Sequence, residues 1–353
     1  MSKSFATRRL LLGASGAALA APWIRNAHAQ AGEVIIRNPG GVYDEIMRKY
    51  VYDPFTQETG IRVTAVVATA ARLLAMFRSN NVELDVIDAG DSLLLQLERQ
   101  NALAPIAYDT WRWTKPEDVT AELRLNTRVA NLLYASVLTY GTEAFPNGNH
   151  PKGWADFWDA QRFPGPRMLA DMATGSPNLE FALIADGVPM DKIYPIDMDR
   201  AFRAMSRIRP HIKKFWDTGA LSAQMMADKE VVLGSVWNGR VQVLIDRGAP
   251  LGIEWNENML EVQAVGIFKD ARNGASAQKL IDYMLKPDAQ LEYCKALTYG
   301  PTNAKVFPMV PADQLARMPG SPASRSKGFY KDIVWWEDHR NQVNRTWSRW
   351  ILG

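Results

Sequence analysis

Beyond residue 30, hydrophobic positions alternate between two periods. Residues 33–37 (EVIIR) form a short apolar run, which Pro39-Gly40-Gly41 breaks. Over 42–57, Ile46, Met47, Tyr50, Val51 and Phe55 recur mainly three or four positions apart, which predicts a helix stopped by Gly60. A second apolar run covers 61–67, a helical stretch 70–79, a third run 85–88 and a third helix 92–100. Short strands alternating with helices predict parallel β-α-β units. From about residue 105 the pattern changes. Residues 129–140 (VANLLYASVLTY) are apolar throughout, which fits a strand crossing between lobes. Further strands are expected at 168–170, 231–236 and 261–268. Helices are expected from 154, at 178–186, 198–206 and 221–228, and at 275–285 with Pro287 as a stop. A last helix from about 336 carries Val343, Trp347 and Trp350 on one stripe, read as core packing.

No repeat, low-complexity linker or long charge block interrupts the 353 residues. The simplest organisation is two lobes joined by strands: 30–138 with 266–353 as lobe 1, and 139–265 as lobe 2.

Charge locates a separate leader. Lys plus Arg is 41 and Asp plus Glu 38, but residues 1–29 hold Lys3, Arg8, Arg9 and Arg25 and no acid. A basic start, the apolar run 10–21 and the small-x-small site Ala27-His28-Ala29 predict an export signal cleaved before Gln30. Thr7-Arg8-Arg9-Leu10-Leu11-Leu12 looks like a twin-arginine signal, which implies a periplasmic protein. No cysteine near the cleavage site could carry a lipid. The remainder is close to neutral, so the overall balance offers no basic surface for nucleic acid.

Chemistry is excluded more readily than assigned. The lone Cys294 excludes intramolecular disulfides, zinc ribbons and CxxC redox sites, and three scattered histidines beyond the leader suggest no metal site. There is no GxxxxGK(S/T), no GxGxxG after a strand, no HExxH, no EF-hand loop and no GxSxG beyond the leader. Ser324-Arg325-Ser326-Lys327 matches SxxK, but in a Pro/Ser-rich segment without companion motifs. An exported hydrolase is therefore only a remote alternative, and no catalytic residue or cofactor is expected. What remains is an exported two-lobe α/β protein whose ligand would sit beyond the carboxyl ends of strands.

Several runs converge on a known group: Arg37-Asn38-Pro39-Gly40-Gly41-Val42-Tyr43, Phe55-Thr56-Gln57-Glu58-Thr59-Gly60-Ile61-Arg62-Val63, Val236-Trp237-Asn238-Gly239-Arg240, Leu285-Lys286-Pro287-Asp288-Ala289 and Tyr299-Gly300-Pro301-Thr302-Asn303. They resemble the periplasmic substrate-binding proteins of ABC importers, of the spermidine/putrescine-binding (extracellular solute-binding family 1) type, over essentially the whole chain beyond the leader. The resemblance implies a type II periplasmic-binding-protein fold with two lobes closing on one small molecule. It also implies a monomer that delivers its solute to permease subunits in the inner membrane. Tyr43 falls on the family's first-loop aromatic and Trp237 where a ring stacks on the ligand. Thr69, Asp91, Thr174, Ser176, Asn238, Arg240, Gln263 and Tyr299 complete the expected contacts.

The acids that hold polyamine ammonium groups in that family are replaced here. The loop 172–176 carries small polar residues, Gln263 stands for an Asp, Glu261 for an aromatic and Ser92 for a Tyr, with Asp91 beside it as a possible substitute. A buried ammonium without a carboxylate is costly, whereas Arg240 and the 174–176 loop suit an acid or zwitterion. Two ligand classes therefore stand at this point: a polyamine-type amine on Asp91 and Trp237, or an amino-acid-like, carboxylate or phosphonate solute on Arg240.

Overall fold

The structure is a computed structural model that describes residues 32–79 and 81–353. The export signal expected over 1–29 lies outside the described residues. Among them are ten strands: β1 (Glu33–Arg37), β2 (Arg62–Val66), β3 (Val86–Gly90), β4 (Leu103–Ala104), β5 (Arg128–Gly141), β6 (Arg167–Ala170), β7 (Ile212–Trp216), β8 (Leu233–Trp237), β9 (Leu251–Phe268) and β10 (Gly328–Tyr330). They lie in the order β2-β1-β3-β9-β5-β8-β6-β7, with β4 and β10 also on β9.

The expected β-α-β units form. β1 pairs in parallel with β2 and β3, and β6 in parallel with β7 and β8. The helix predicted over 42–57 is Val42–Met47, a π-helical turn Arg48–Tyr52 and then Asp53–Thr59, closed by Gly60 at φ 72° with its N–H on the Thr56 carbonyl. That left-handed cap is the conformation for which glycine carries little steric cost.

Between the two parallel groups run β5 and β9, antiparallel to each other. β5 is buried along nearly its whole length, which is why it reads as an unbroken apolar run. β9 starts at Leu251 rather than 261; its first half is polar and half-exposed. Positions 139 and 265, where crossings between lobes are expected, lie within β5 and β9. The architecture is the two-lobe α/β fold, with a mixed sheet and flanking helices.

Hydrophobic burial divides along the same line. One core gathers Ile36, Met47, Phe55, Val129, Leu133, Ile281 and Tyr293. A second gathers Leu138, Trp154, Phe181 and Met205 with Trp335, Trp336, Val343 and Trp347 of the last helix, Ile333–Leu352. Each large side chain removed from water contributes roughly 1.5–3 kcal/mol. The last helix also touches the helix Asp91–Arg99, where Gln96 donates to Glu337 at 3.2 Å and Arg99 pairs with Asp338 at 2.8 Å. It thus bridges both parts of the molecule. No described helix is long and apolar enough to cross a membrane.

Candidate ligand-binding site

A cavity of about 590 Å³ opens beyond the carboxyl ends of β3 and β6, within the size range of small-molecule sites. β3 delivers Gly90 and, on the first turn of the following helix, Asp91. The loop after β6 delivers Thr174 and Gly175. β5 supplies Arg128 and Tyr134, β9 supplies Glu261, and the segment after β10 supplies Lys331.

The ionic groups on this wall are already paired. Arg128 Nε donates to Asp91 at 2.6 Å and its other arm to Glu98. Burial raises the Asp91 carboxyl above its ordinary range, and Arg128 opposes that rise. Glu261 accepts from Ser136 Oγ at 2.8 Å and pairs with Lys331 Nζ at 3.4 Å. Glu122, at the rim, lies 3.9 Å from Arg325. Thr174 is held in its turn by Oγ1 donation to the Asp171 and Ser176 carbonyls, and Ser176 itself is buried.

Next to the cavity stands an aromatic wall. Tyr134 meets Trp237 edge-on at 6.0 Å and Tyr299 at 6.2 Å, and Trp237 meets Trp216 at 5.2 Å. The Trp-Asn-Gly-Arg run explains itself locally. Trp237 ends β8, and Asn238 opens the helix Asn238–Asp246. The buried Asn238 amide accepts from the Ala135 N–H at 3.0 Å and donates to the Thr298 carbonyl at 2.7 Å, tying three segments together. A Cβ at position 239 would lie 2.4 Å from the Tyr299 ring, so glycine permits that approach. Arg240 flanks Trp237: a Cβ on Gly219 would meet both, at 2.8 Å and 3.2 Å. Arg240 is exposed and, among the described residues, forms no ion pair or side-chain hydrogen bond.

Two of the residues expected in contact with ligand belong to a separate buried network. The Tyr43 hydroxyl donates to Asp88 at 2.6 Å, Gln263 Nε2 donates to the same carboxylate at 2.9 Å, and Asn131 Nδ2 at 3.2 Å. Arg37 donates to the Asp88 backbone carbonyl at 2.6 Å. Burial pushes the Asp88 carboxyl up to about 6, against the pull of those donors and of Arg37. Thr69 is exposed and caps the helix Ala70–Arg78 by accepting from the Arg72 N–H at 3.2 Å.

The structure thus brings Asp91 and Thr174 to the cavity, and Trp237, Arg240 and Tyr299 to the adjoining wall, with Asn238 and Ser176 as buried supports. Sequence reasoning did not single out Arg128, Tyr134 or Lys331. Tyr134 is hidden in the apolar run of β5, and Lys331 reaches Glu261 across 70 residues of chain. Among the described residues, no group of His, Cys, Asp or Glu could hold a metal ion.

Comparison with known proteins agrees with this architecture. The family model described as bacterial extracellular solute-binding protein matches residues 51–320. An ABC transporter substrate-binding protein from Bradyrhizobium japonicum superposes with a TM-score of 0.83 at 30% identity, covering 90% of this chain and 99% of the other. A gamma-aminobutyric acid-binding protein of Pseudomonas aeruginosa is 26% identical over 331 residues, 92% of each chain. Spermidine/putrescine-binding periplasmic protein 1 of Haemophilus influenzae is 25% identical over 277 residues, 74% of each chain. A sheet with its cavity at strand ends, a family match over most of the chain and relatives that are carriers rather than enzymes converge: the chain belongs to the bacterial extracellular solute-binding proteins, the periplasmic substrate-binding components of ABC importers.

Proposed function

We propose that the protein is the receptor for a small acid or zwitterion whose carboxylate is held by Arg240. Its carbon chain would lie against Trp237, and Asp91, Thr174 and Tyr299 would line the rest of the site. Residues 30–138 with 266–332 would act as one lobe and 139–265 as the other, with the last helix counted to the second because Trp335, Trp336, Val343 and Trp347 lie in its core. The closed monomer would then present the solute to permease subunits in the inner membrane.

One observation carries this reading. The cavity's acids are engaged, Asp91 by Arg128 and Glu261 by Lys331 and Ser136, while the exposed Arg240 beside the aromatic wall has no anion among the described residues. A polyamine needs carboxylates for its ammonium groups; a carboxylate needs a guanidinium fork. The relative matched over 92% of both chains binds gamma-aminobutyric acid, a solute with one group of each sign.

The test is a thermal-shift and calorimetric series with γ-aminobutyrate, small dicarboxylates and aminophosphonates set against putrescine and spermidine. Carboxylate-bearing solutes should raise Tm, by about 2.7 kcal/mol of stabilisation at 100 times Kd. Arg240→Ala should weaken binding by roughly 1.5–3 kcal/mol, the scale of a charge-assisted pair. A response to polyamines alone, or unchanged acid affinity in Arg240→Ala, would overturn the reading.

A further inference from the structure

Glu261 sits on the cavity wall in β9, its side chain only 10% exposed, and three donors converge on it. Ser136 Oγ lies at 2.8 Å, Tyr134 OH at 3.5 Å and Lys331 Nζ at 3.4 Å. The Lys331 side chain is 7% exposed, and its ammonium also lies 5.5 Å over the Trp336 ring. A carboxylate and an aromatic face around one ammonium is the arrangement with which proteins bind alkylammonium ligands. Here the ammonium belongs to the chain itself.

Its delivery is built into the backbone. β10 runs parallel to β9, with Tyr330 opposite Leu260, and the Lys331 N–H donates to the Leu260 carbonyl at 3.0 Å. Gly328 opens that strand so close to β9 that a Cβ would fall 2.5 Å from the Asn258 carbonyl oxygen. The backbone of residue 331 is thereby fixed next to Glu261, and the side chain needs only to lie along the wall.

We propose that Lys331 is a resident occupant of the cavity's ammonium site and so a specificity determinant that turns diamines away. An incoming alkylammonium could reach Glu261 only by displacing Lys331. That would leave two cations at one carboxylate in a poorly solvated place, or a buried lysine without its partner, and both are strongly disfavoured. A solute with a carboxylate at its recognised end makes no claim on Glu261. This inference rests on the cavity as the solute site, but not on Arg240 as its anchor.

The experiment empties the site. In Lys331→Ala, Glu261 keeps its two hydroxyl donors but has no counter-charge. Putrescine and n-propylammonium chloride, titrated by calorimetry and thermal shift, should bind this variant roughly tenfold or more tighter than the parent, the scale on which opposite charges count in a partly buried site. They should raise its Tm by several degrees at saturation. Lys331→Ala/Glu261→Gln should lose that response. No amine response in Lys331→Ala, or an equal response in the parent and the double variant, would overturn the proposal.

If Lys331→Ala does not fold, Glu261→Gln serves from the other side. It leaves Lys331 without an acid, so acetate should stabilise it and propylammonium should not; the reverse order would overturn the proposal. γ-Aminobutyrate run in parallel separates the two readings. Acid binding lost in Arg240→Ala but no amine gain in Lys331→Ala breaks only the Lys331 proposal. Amine gain without any acid response in the parent breaks only the Arg240 reading.

Discussion

The Asp88 network and the Arg240 wall are built from similar residue types but stand in opposite states. Around Asp88, donors from Tyr43, Asn131 and Gln263 all end on one fully buried carboxylate. Beside the cavity, Trp237 and Tyr299 flank a guanidinium with no anion among the described residues. Buried polar groups are paired as a rule, and their pairing ties strands together. A charged group left open beside aromatic faces is free to take a partner from outside. An inventory of partners separates the two roles where residue identity does not: Tyr43 and Gln263 read as ligand contacts, yet here both donate to the buried Asp88 carboxylate.

The largest expected effect breaks the first cluster. Asp88→Ala strands three buried donors and should cost about 2–4 kcal/mol in urea unfolding. The same carboxylate gives a pH signature. With its native value near 6 against an ordinary 3.8, the folded chain holds a proton between about pH 4 and 6 that the unfolded chain has released. Asp88's contribution to stability therefore falls as pH rises through that window and is flat above it. The stability of the parent minus that of Asp88→Asn, measured from pH 4 to 7, should show that fall. A difference that rises or stays level would contradict the burial-driven shift.

Next in size is the second cluster. Trp237→Ala should weaken solute binding by about 1–3 kcal/mol through lost stacking and burial. Arg240→Ala, despite its effect on affinity, should leave the ligand-free urea midpoint within about 0.5 kcal/mol of the parent, since nothing in the fold leans on it. A large loss of ligand-free stability would show that Arg240 belongs with Asp88 as a structural group. A modest stability loss with no effect on binding is expected at Thr69. Thr69→Ala should cost about 1 kcal/mol of stability through the lost helix cap, with solute affinity unchanged.

Much of the fold was legible because burial writes period into sequence. β5 reads as one apolar run since both its faces are covered. The β-α-β start was visible in the switch from alternating runs to three–four spacing. The first half of β9 was not, because Glu254, Asn256 and Glu257 interrupt the pattern, and Glu257 takes a positive φ of 60°. Pro287 does follow the end of the helix Gly274–Met284 as expected, but it is also the first residue of a further helix, Pro287–Leu297, where its missing N–H costs nothing. The site was legible only where one short segment carries it. Trp237 to Arg240 are adjacent in sequence, so their joint placement could be read. The pairing of Glu261 with Lys331 depends on strand register between distant segments, and no local signal records that.

The ladder between β5 and β9 has a consequence for modular engineering. Gly141 and Leu251 face each other across it, so the chain leaves the pair at one residue and returns at its direct neighbour. The stretch 142–250 is therefore topologically an insertion whose two ends meet, the kind of piece that recombination can exchange without lengthening a linker. It could not travel alone, because Trp336, Val343 and Trp347 of the C-terminal helix fill its core. A graft of solute specificity from one relative to another would have to move the stretch and its distant helical cover together.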